Sequence, residues 1–263
     1  MISFSNLGKY GRFGNQIFQY VFLRSQAQRL GVKYSCPSWI GDKVFNLNET
    51  NRIISNDACP IEYVQPGGDG GFDERAFLIQ NETDIRGYFQ SHHYFSAQAR
   101  EWFDFKYKYL PVKKNLVTLF GLTQAKVSYE DRFKNAVAIH LRFGDYLDLK
   151  HIYVELDVEY YRKSLIEISD IEEVIVFSDN IPLAKQKLVG IKDVDLHYYS
   201  GVSEIDDFAA MAHCRQHIIS NSTFSWWSAW ISNSSHVIMP SNWFSDSYAK
   251  KSDDLVCEGW QVI

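Results

Sequence analysis

The stretch AVAIHLRFGDY, residues 136–146, begins with a continuous apolar run, which predicts a strand buried on both faces. The residues after it continue as helix-like and strand-like segments in alternation. The predicted strands are EEVIVFSD (172–179), DVDLHYY (193–199), QHIISNS (216–222) and HVIMP (236–240). The predicted helices are DVEYYRKSLIEIS (157–169), IPLAKQKLVG (181–190), EIDDFAAMAHC (204–214) and TFSWWSAWIS (223–232). This alternation predicts an α/β fold whose parallel sheet is covered by helices.

Three polar loops follow strands of this predicted sheet: HLRFGDY (140–146), FSDN (177–180) and SNSTFSWW (220–227). Ligands of open α/β sheets bind beyond the carboxyl ends of the strands. We therefore expect the three loops to border one crevice.

The N-terminal half begins with a short apolar segment and the Gly-rich loop SNLGKYGRFGNQ (5–16). Apolar residues at helical spacing predict a helix from Ile17 to Leu30 that stops at Gly31, followed by the strand VKYSC (32–36). Residues 46–75 are rich in turn formers, and a helix with lysines and aromatics is expected after GYFQSHHYF (87–95). Polar residues between 113 and 135 place a domain boundary there.

Composition excludes several classes of protein. The chain has 263 residues and a net charge of −5, which argues against a nucleic-acid partner. Neither a Cys-x-x-Cys pair nor His-Glu-x-x-His occurs, so no metal site is expected. With no secretory signal and no run of eighteen apolar residues, the expected location is the cytoplasm. A peripheral contact with a membrane stays open.

The first group of candidate residues follows strand 136–141. The guanidinium of Arg142 suits phosphate oxygens, and His140 points the same way in extended backbone. Asp145 could accept a proton. Alternatively, Asp145 and Arg142 form a turn salt bridge beside a half-buried histidine.

Two further groups lie where helices begin. Asn221, Ser222 and Thr223 offer hydroxyl and N–H groups to an anion, although a simple helix cap fits as well. The loop GRFGNQ (11–16) matches neither G-x-G-x-x-G nor a Walker loop, so nucleotide binding by those modes is not supported. Its Asn15 is either a functional amide or a helix cap.

Two carboxylates complete the set. Asp179 ends a strand and Asp207 opens a helix, and carboxylates suit a guanine edge or ribose hydroxyls. Helix capping by both is the alternative.

The motifs GRFGNQIFQY, GYFQSHHYF, HLRFGDY, FSDN and NSTFSWWSAWI occur in the order seen in the α-1,2-fucosyltransferases of glycosyltransferase family 11. The chain resembles this family from Gly11 to about Pro240. The resemblance implies a GT-B type fold, with two Rossmann-like domains facing a central cleft. Residues 1–130 would form the acceptor-side domain and residues 131–263 the GDP-fucose-binding domain.

The resemblance also implies the reaction. The family moves L-fucose from GDP-fucose with inversion, needs neither metal nor cofactor, and in bacteria builds surface polysaccharide such as O-antigen or capsule. The expected acceptor is a galactose-containing oligosaccharide or lipid-linked glycan. Work at the inner membrane as a peripheral protein is consistent with this role.

Arg142, Asp145 and Asn15 are the catalytic candidates. Arg142 resembles the family's phosphate-binding arginine, and Asn15 resembles an asparagine near the reacting centre in a similar loop of protein O-fucosyltransferases. Asp145 is the carboxylate that either takes the proton of the acceptor hydroxyl or orients Arg142. The expected substrate-binding residues are His140, Asp179, Asp207, Asn221, Ser222, Thr223, Gly14 and Gln16.

One departure from the family bears on these roles. Many members have a second arginine where this chain has Phe143. A fucosyltransferase of another linkage, α-1,6 or protein O-linked, and a non-catalytic GDP-sugar-binding protein therefore remain as alternatives.

Overall fold

The fold is described from a computed structural model. It describes residues 1–47, 49–67, 71–106, 108, 127–144, 149, 151–232, 234–246, 248 and 252–263. The chain divides into two compact units: Met1–Lys106 with Lys250–Cys257, and Tyr107–Ala249 with Glu258–Ile263. The predicted division at residue 130/131, and the role given to each domain, stay predictions.

The first unit contains a parallel sheet. Its strands within the described residues are β1 (Ile2–Ser3), β2 (Tyr34–Cys36), β3 (Arg52–Ile54), β4 (Ile61–Val64) and β5 (Thr83–Arg86). They lie in the order β3-β2-β1-β5-β4. Strands β1 and β5 are therefore neighbours at the point where the strand order reverses.

Helix α1 (Phe13–Leu30) connects β1 to β2, as the βαβ prediction requires. It ends at Gly31, whose φ of 64° is a left-handed conformation that glycine adopts without a Cβ clash. The helix begins four residues before the predicted start. A short α2 (Gly41–Val44) follows, and Ala97–Trp102 form a 3-10 helix. The lysine-containing part of the helix expected after residue 95 lies partly outside the described residues.

The second unit contains the larger sheet. Its strands within the described residues are β6 (Ala136–Leu141), β7 (Glu173–Ser178), β8 (Leu196–Tyr199), β9 (Gln216–Ile218), β10 (His236–Met239) and β11 (Gln261–Val262). All pairs are parallel, in the order β11-β10-β9-β6-β7-β8. This is the Rossmann strand order, and it reverses between β6 and β9.

Five helices of the described chain belong to this unit: α3 (Tyr129–Phe133), α4 (Val158–Glu167), α5 (Ile181–Lys187), α6 (Glu204–Ala212) and α7 (Thr223–Ser232). Every residue of β6 is buried, as expected for a strand covered on both faces. Helices α4 and α5 pack on one face around Leu141, Val176, Tyr161 and Leu188. In α7 the side chains of Trp226 and Trp227 are fully buried and pack edge to face.

The two parallel sheets confirm the predicted α/β fold class. Every strand and helix predicted from residue 136 onward is present. In the first unit, by contrast, the segment predicted as turn-rich contains β3 and β4. Among the described helices, none combines the length and the apolar character needed to cross a bilayer.

Candidate active site

The second unit brings polar residues together where its strand order reverses. The loop after β6 contains Arg142, and the loop after β9 contains Ser220 and Asn221. Strand β7, on the other side of β6, is followed by Asp179. Parallel pairing aligns Leu141 with Ser178, so the next residues of the two strands, Arg142 and Asp179, emerge side by side.

Asp179 holds the residues that follow β6. Its Oδ2 lies 3.0 Å from Nη1 of Arg142, and its Oδ1 accepts a hydrogen bond from the Phe143 amide at 2.9 Å. A Cβ at Gly144 would lie 2.6 Å from Asp179 Oδ2, so glycine is the residue that permits this approach. The guanidinium therefore has a fixed direction while its side chain stays 12% exposed.

His140 is enclosed within the sheet and is 4% exposed. Its Nδ1 lies 2.7 Å from Ser220 Oγ, which connects β6 to the loop after β9. Burial, and then the positive charge of Arg142, lowers the pKa of His140 to about 3. The imidazole is therefore neutral near pH 7 and leaves Arg142 as the cation of this strand end.

The loop before α7 is held in place by a backbone hydrogen bond and by the side-chain amide of Asn221. The Asn221 Nδ2 donates to the carbonyls of Val154 and Trp243, at 2.8 and 3.0 Å. Ser222 N donates to the Ser220 carbonyl at 2.8 Å. The loop thus enters α7 at Thr223 in a defined conformation, and a helix start attracts anions through its dipole.

A cavity of about 30 Å³ lies beside Arg142. Lys187 and Glu155 also line it, paired at 2.7 Å. No motif marked these two residues in the sequence, because Lys187 ends a helix and Glu155 lies in a separate loop. They add an ion pair, and not an uncompensated charge, to the lining of this cavity.

Asp207 lies in the first turn of α6, which begins at Glu204 with Ser203 as its cap. Its Oδ1 accepts a hydrogen bond from Gly201 N at 2.7 Å. The capping alternative for Asp207 is therefore wrong. It is also wrong for Asp179, since Asn180 caps α5.

The first unit carries Gly14, Asn15 and Gln16 in the first turn of α1. Arg12, and not Asn15, occupies the cap position. The Asn15 Oδ1 accepts a hydrogen bond from Gln90 Nε2 at 2.8 Å, which joins the start of α1 to the loop after β5.

The side chain of Gln16 contacts the backbone of the Gly-rich loop. Its side-chain nitrogen contacts the carbonyls of Gly8 and Gly11 at 3.5 and 3.4 Å, and the residue is 4% exposed. Gly11 has a φ of 74°, and a Cβ there would overlap the Asn15 amide. The Asn15 side chain is therefore held by the hydrogen bond from Gln90 and by the close approach of Gly11.

Two further expectations concern the candidate base Asp145 and the absence of a metal site. Asp145 lies outside the described residues. Within the part of the chain that the structure describes, no group of three or more His, Cys, Asp or Glu side chains could hold a metal ion.

A sequence model of glycosyl transferase family 11 matches residues 77–263 of the chain. The O-antigen biosynthesis glycosyltransferase WbnK of Escherichia coli is 30% identical over 138 residues, covering 48% of this chain and 44% of that protein. The alpha-1,2-colitosyltransferase of Escherichia coli is 28% identical over 179 residues, covering 63% and 58%. The chain thus spans about half the length of the curated relatives it matches.

Among solved structures, POFUT1 in complex with GDP-fucose superposes with a TM-score of 0.54 at 12% identity. The match covers 89% of this chain and 94% of that one. It extends to both units and shows the likeness of fold.

Proposed function

The chain belongs to glycosyl transferase family 11, and on this premise we propose that it transfers L-fucose from GDP-fucose to a galactoside hydroxyl in α-1,2 linkage, with inversion and without a metal ion. The product would be a bacterial surface polysaccharide such as O-antigen or capsule. The relative WbnK is an O-antigen biosynthesis glycosyltransferase, which supports this assignment.

The observation that supports the proposal best is the anchored guanidinium of Arg142. As the fucose–phosphate bond breaks, negative charge grows on the departing diphosphate. A cation with a fixed direction stabilises that charge without reorganising during the reaction. Arg142 meets this requirement, because Asp179 holds its Nη1 at the switch point of the sheet.

The start of α7 supports the same role. N–H groups in the first turn of a helix point along its axis and favour anions, so a phosphate oxygen can bind there. The neighbouring Ser222 and Thr223 add hydroxyl groups. In this mechanism His140 remains a neutral hydrogen-bonding group, since burial keeps its pKa low.

The acceptor side of the reaction requires a group that takes the hydroxyl proton. The sugar develops oxocarbenium-like character while the acceptor oxygen attacks from the opposite face. We assign Asp145 as the general base and Asn15 as an amide that orients the reacting groups. Gln90 and Gly11 would keep Asn15 in place.

The test uses the purified chain with GDP-fucose and a panel of β-galactosides, with linkage analysis of the product. Arg142→Ala should lower transfer more than a hundredfold, because one such preorganised donor group contributes roughly 3–4 kcal/mol. Arg162→Ala is the matched control, since Arg162 pairs with Glu159 on the surface of α4. A folded Arg142→Ala protein with near wild-type turnover would contradict the assignment.

The same assay addresses the remaining points. Turnover should be unchanged in the presence of a metal chelator. Glycosylation at another position of the acceptor would identify a different linkage, and GDP binding without transfer would identify a binding protein. A GDP-colitose donor is the second candidate, supported by the colitosyltransferase relative, and is tested against GDP-fucose in parallel.

A further inference from the structure

Two buried tyrosines and a buried carboxylate meet at the start of α6. Tyr129, Tyr199 and Asp206 are exposed by 2%, 1% and 4%. The Asp206 Oδ2 accepts hydrogen bonds from the Tyr199 hydroxyl at 3.1 Å and from Val202 N at 2.8 Å. Its Oδ1 accepts one from the Tyr129 hydroxyl. The cluster therefore connects α3, β8 and α6 through one carboxylate.

The protonation of this cluster follows from its burial. Burial raises the pKa of Tyr129 and of Tyr199, and the negative charge of Asp206 raises both further. Both hydroxyls are therefore donors near pH 7, and the carboxylate is the acceptor. Three donors on one buried carboxylate leave it enclosed by the protein.

The loop between β8 and α6, residues 200–203, passes between two adjacent carboxylates. Gly201 N donates to Asp207 Oδ1, and Val202 N donates to Asp206 Oδ2. A Cβ at Gly201 would overlap Asp206 Oδ2 and lie 2.7 Å from Asp207 Oδ1. The position of the Asp206 carboxylate thus sets the path of the backbone that contacts Asp207.

The two carboxylates differ in their access to a ligand. Asp206 is enclosed and accepts three protein donors, whereas Asp207 is half-buried. The guanine edge shows adjacent N–H donors, which a carboxylate accepts in pairs. The sequence leads us to expect that Asp207 binds the base, and its partial exposure is compatible with that role, whereas the enclosed Asp206 can act only through the protein around it.

We propose that Asp206 is the positioning residue for base recognition: it fixes the loop 200–203 so that the Asp207 carboxylate is directed at the guanine of the donor. This inference rests on the proposed function, in which GDP-fucose is the donor, and on the expectation from the sequence that Asp207 binds the guanine. Asp206 itself touches no substrate.

The test compares GDP with IDP, whose base lacks the 2-amino group, by calorimetric titration of the full chain. Wild type should prefer GDP by 10- to 100-fold, the range of a hydrogen bond to a charged group. Asp207→Asn should abolish the preference. Asp206→Asn should reduce it at least about fivefold by weakening GDP binding more than IDP binding, because hypoxanthine keeps the N1–H donor but lacks the 2-amino donor to the Asp207 carboxylate.

Controls separate positioning from stability. Glu204→Gln removes an exposed carboxylate from the same helical turn and should leave the preference unchanged. Tyr199→Phe removes one donor to Asp206 and should give an intermediate preference, and it decides the question if Asp206→Asn does not fold. At saturating GDP-fucose, kcat of a folded Asp206→Asn protein should be retained while KM rises.

Three results would overturn the proposal. A lower melting temperature with an unchanged GDP-to-IDP ratio in Asp206→Asn and Tyr199→Phe would show a structural role alone. An equal affinity of wild type for GDP and IDP would remove base recognition by Asp207, even where fucose transfer is measured. Failure of wild type to bind GDP at all would overturn the proposed function together with this inference.

Discussion

Arg142 illustrates how a single residue obtains its direction from a neighbouring strand. Sequence spacing suggests Asp145 as its partner, because both lie in one turn. In the structure Arg142 contacts Asp179, 37 residues away along the chain but adjacent across β6 and β7, while Asp145 lies outside the described residues. The register of a parallel pair, which the sequence does not show, determines this contact.

Asp179→Asn tests this interpretation at the residue scale. The asparagine can still accept the Phe143 amide but loses the charge that holds Arg142, so kcat should decrease about tenfold, the effect of roughly 1.4 kcal/mol in the transition state. Steady-state kinetics with varied GDP-fucose measure kcat and KM separately. Asp195→Asn, at an exposed aspartate before β8, is the control.

The kinetic pattern distinguishes two roles for Asp179. The sequence predicted contact with the base or ribose, and that role predicts a higher KM for GDP-fucose at an unchanged kcat. A lower kcat supports the role of holding Arg142. Equal kinetics of Asp179→Asn and wild type would contradict both.

At the scale of elements, the sequence predicted the second unit well and the first unit in part. Strands β6 and β7 of the second sheet are largely buried, so their apolar runs are continuous and are bounded by helices. Strands β3 and β4 are short and lie at the sheet edges, with Ile54 and Val64 exposed by 66% and 56%. Without a buried face, such strands leave neither alternation nor an unbroken apolar run.

The sequence predicted which residues belong to the candidate site better than it predicted the contacts between them. Strand ends and helix starts, which follow from local patterns, point to His140, Arg142 and the loop before α7. The contacts His140–Ser220 and Asn15–Gln90 join residues 80 and 75 positions apart, and they depend on strand order. Local sequence carries no record of strand order.

Phe143 belongs to the packing between β6 and the helices that cover it. Its side chain is 8% exposed and lies in the cluster with Leu141, Tyr161 and Leu165. An arginine, as many family members have here, would place a charge among these apolar groups. The structure therefore explains this departure as a change in the core.

Phe143→Arg should accordingly destabilise the protein by roughly 3–5 kcal/mol, from lost packing and a buried charge, without raising turnover. Urea unfolding at neutral pH measures the loss, together with the transfer rate at low temperature. Phe143→Leu is the matched control and should cost roughly 1 kcal/mol. A stable Phe143→Arg protein with faster transfer would show that the position belongs to phosphate binding.

At the scale of the whole molecule, both units place their polar residues where the strand order reverses. In the first unit the start of α1 and the loop after β5 meet through Asn15 and Gln90. In the second unit the end of β6 and the loop after β9 meet through His140 and Ser220. Each sheet thus supplies its own candidate groups, and a net charge of −5 is compatible with a locally cationic phosphate site.

The same second sheet should make the protein sensitive to acid. His140 on β6 and His217 on the adjacent β9 are buried, and burial lowers their pKa values to about 3 and about 4. In the unfolded chain both titrate near 6.5. Between these values the unfolded state binds more protons, so stability is complete above about pH 6.5 and falls as the pH decreases.

Lowering the pH from 7.5 to 5 should therefore decrease the free energy of unfolding by about 2 kcal/mol for each histidine. The reason is that pH 5 lies about 1.5 units below the pKa of the unfolded chain, and each unit corresponds to roughly 1.4 kcal/mol. Urea unfolding of wild type and His217→Gln at the two pH values measures this, and the variant should lose about 2 kcal/mol less than wild type. His197→Gln, at an exposed position of β8, should keep the wild-type pH dependence. An equal loss in His217→Gln and wild type would show that His217 is not held neutral by the fold, and the acid sensitivity would then have another source.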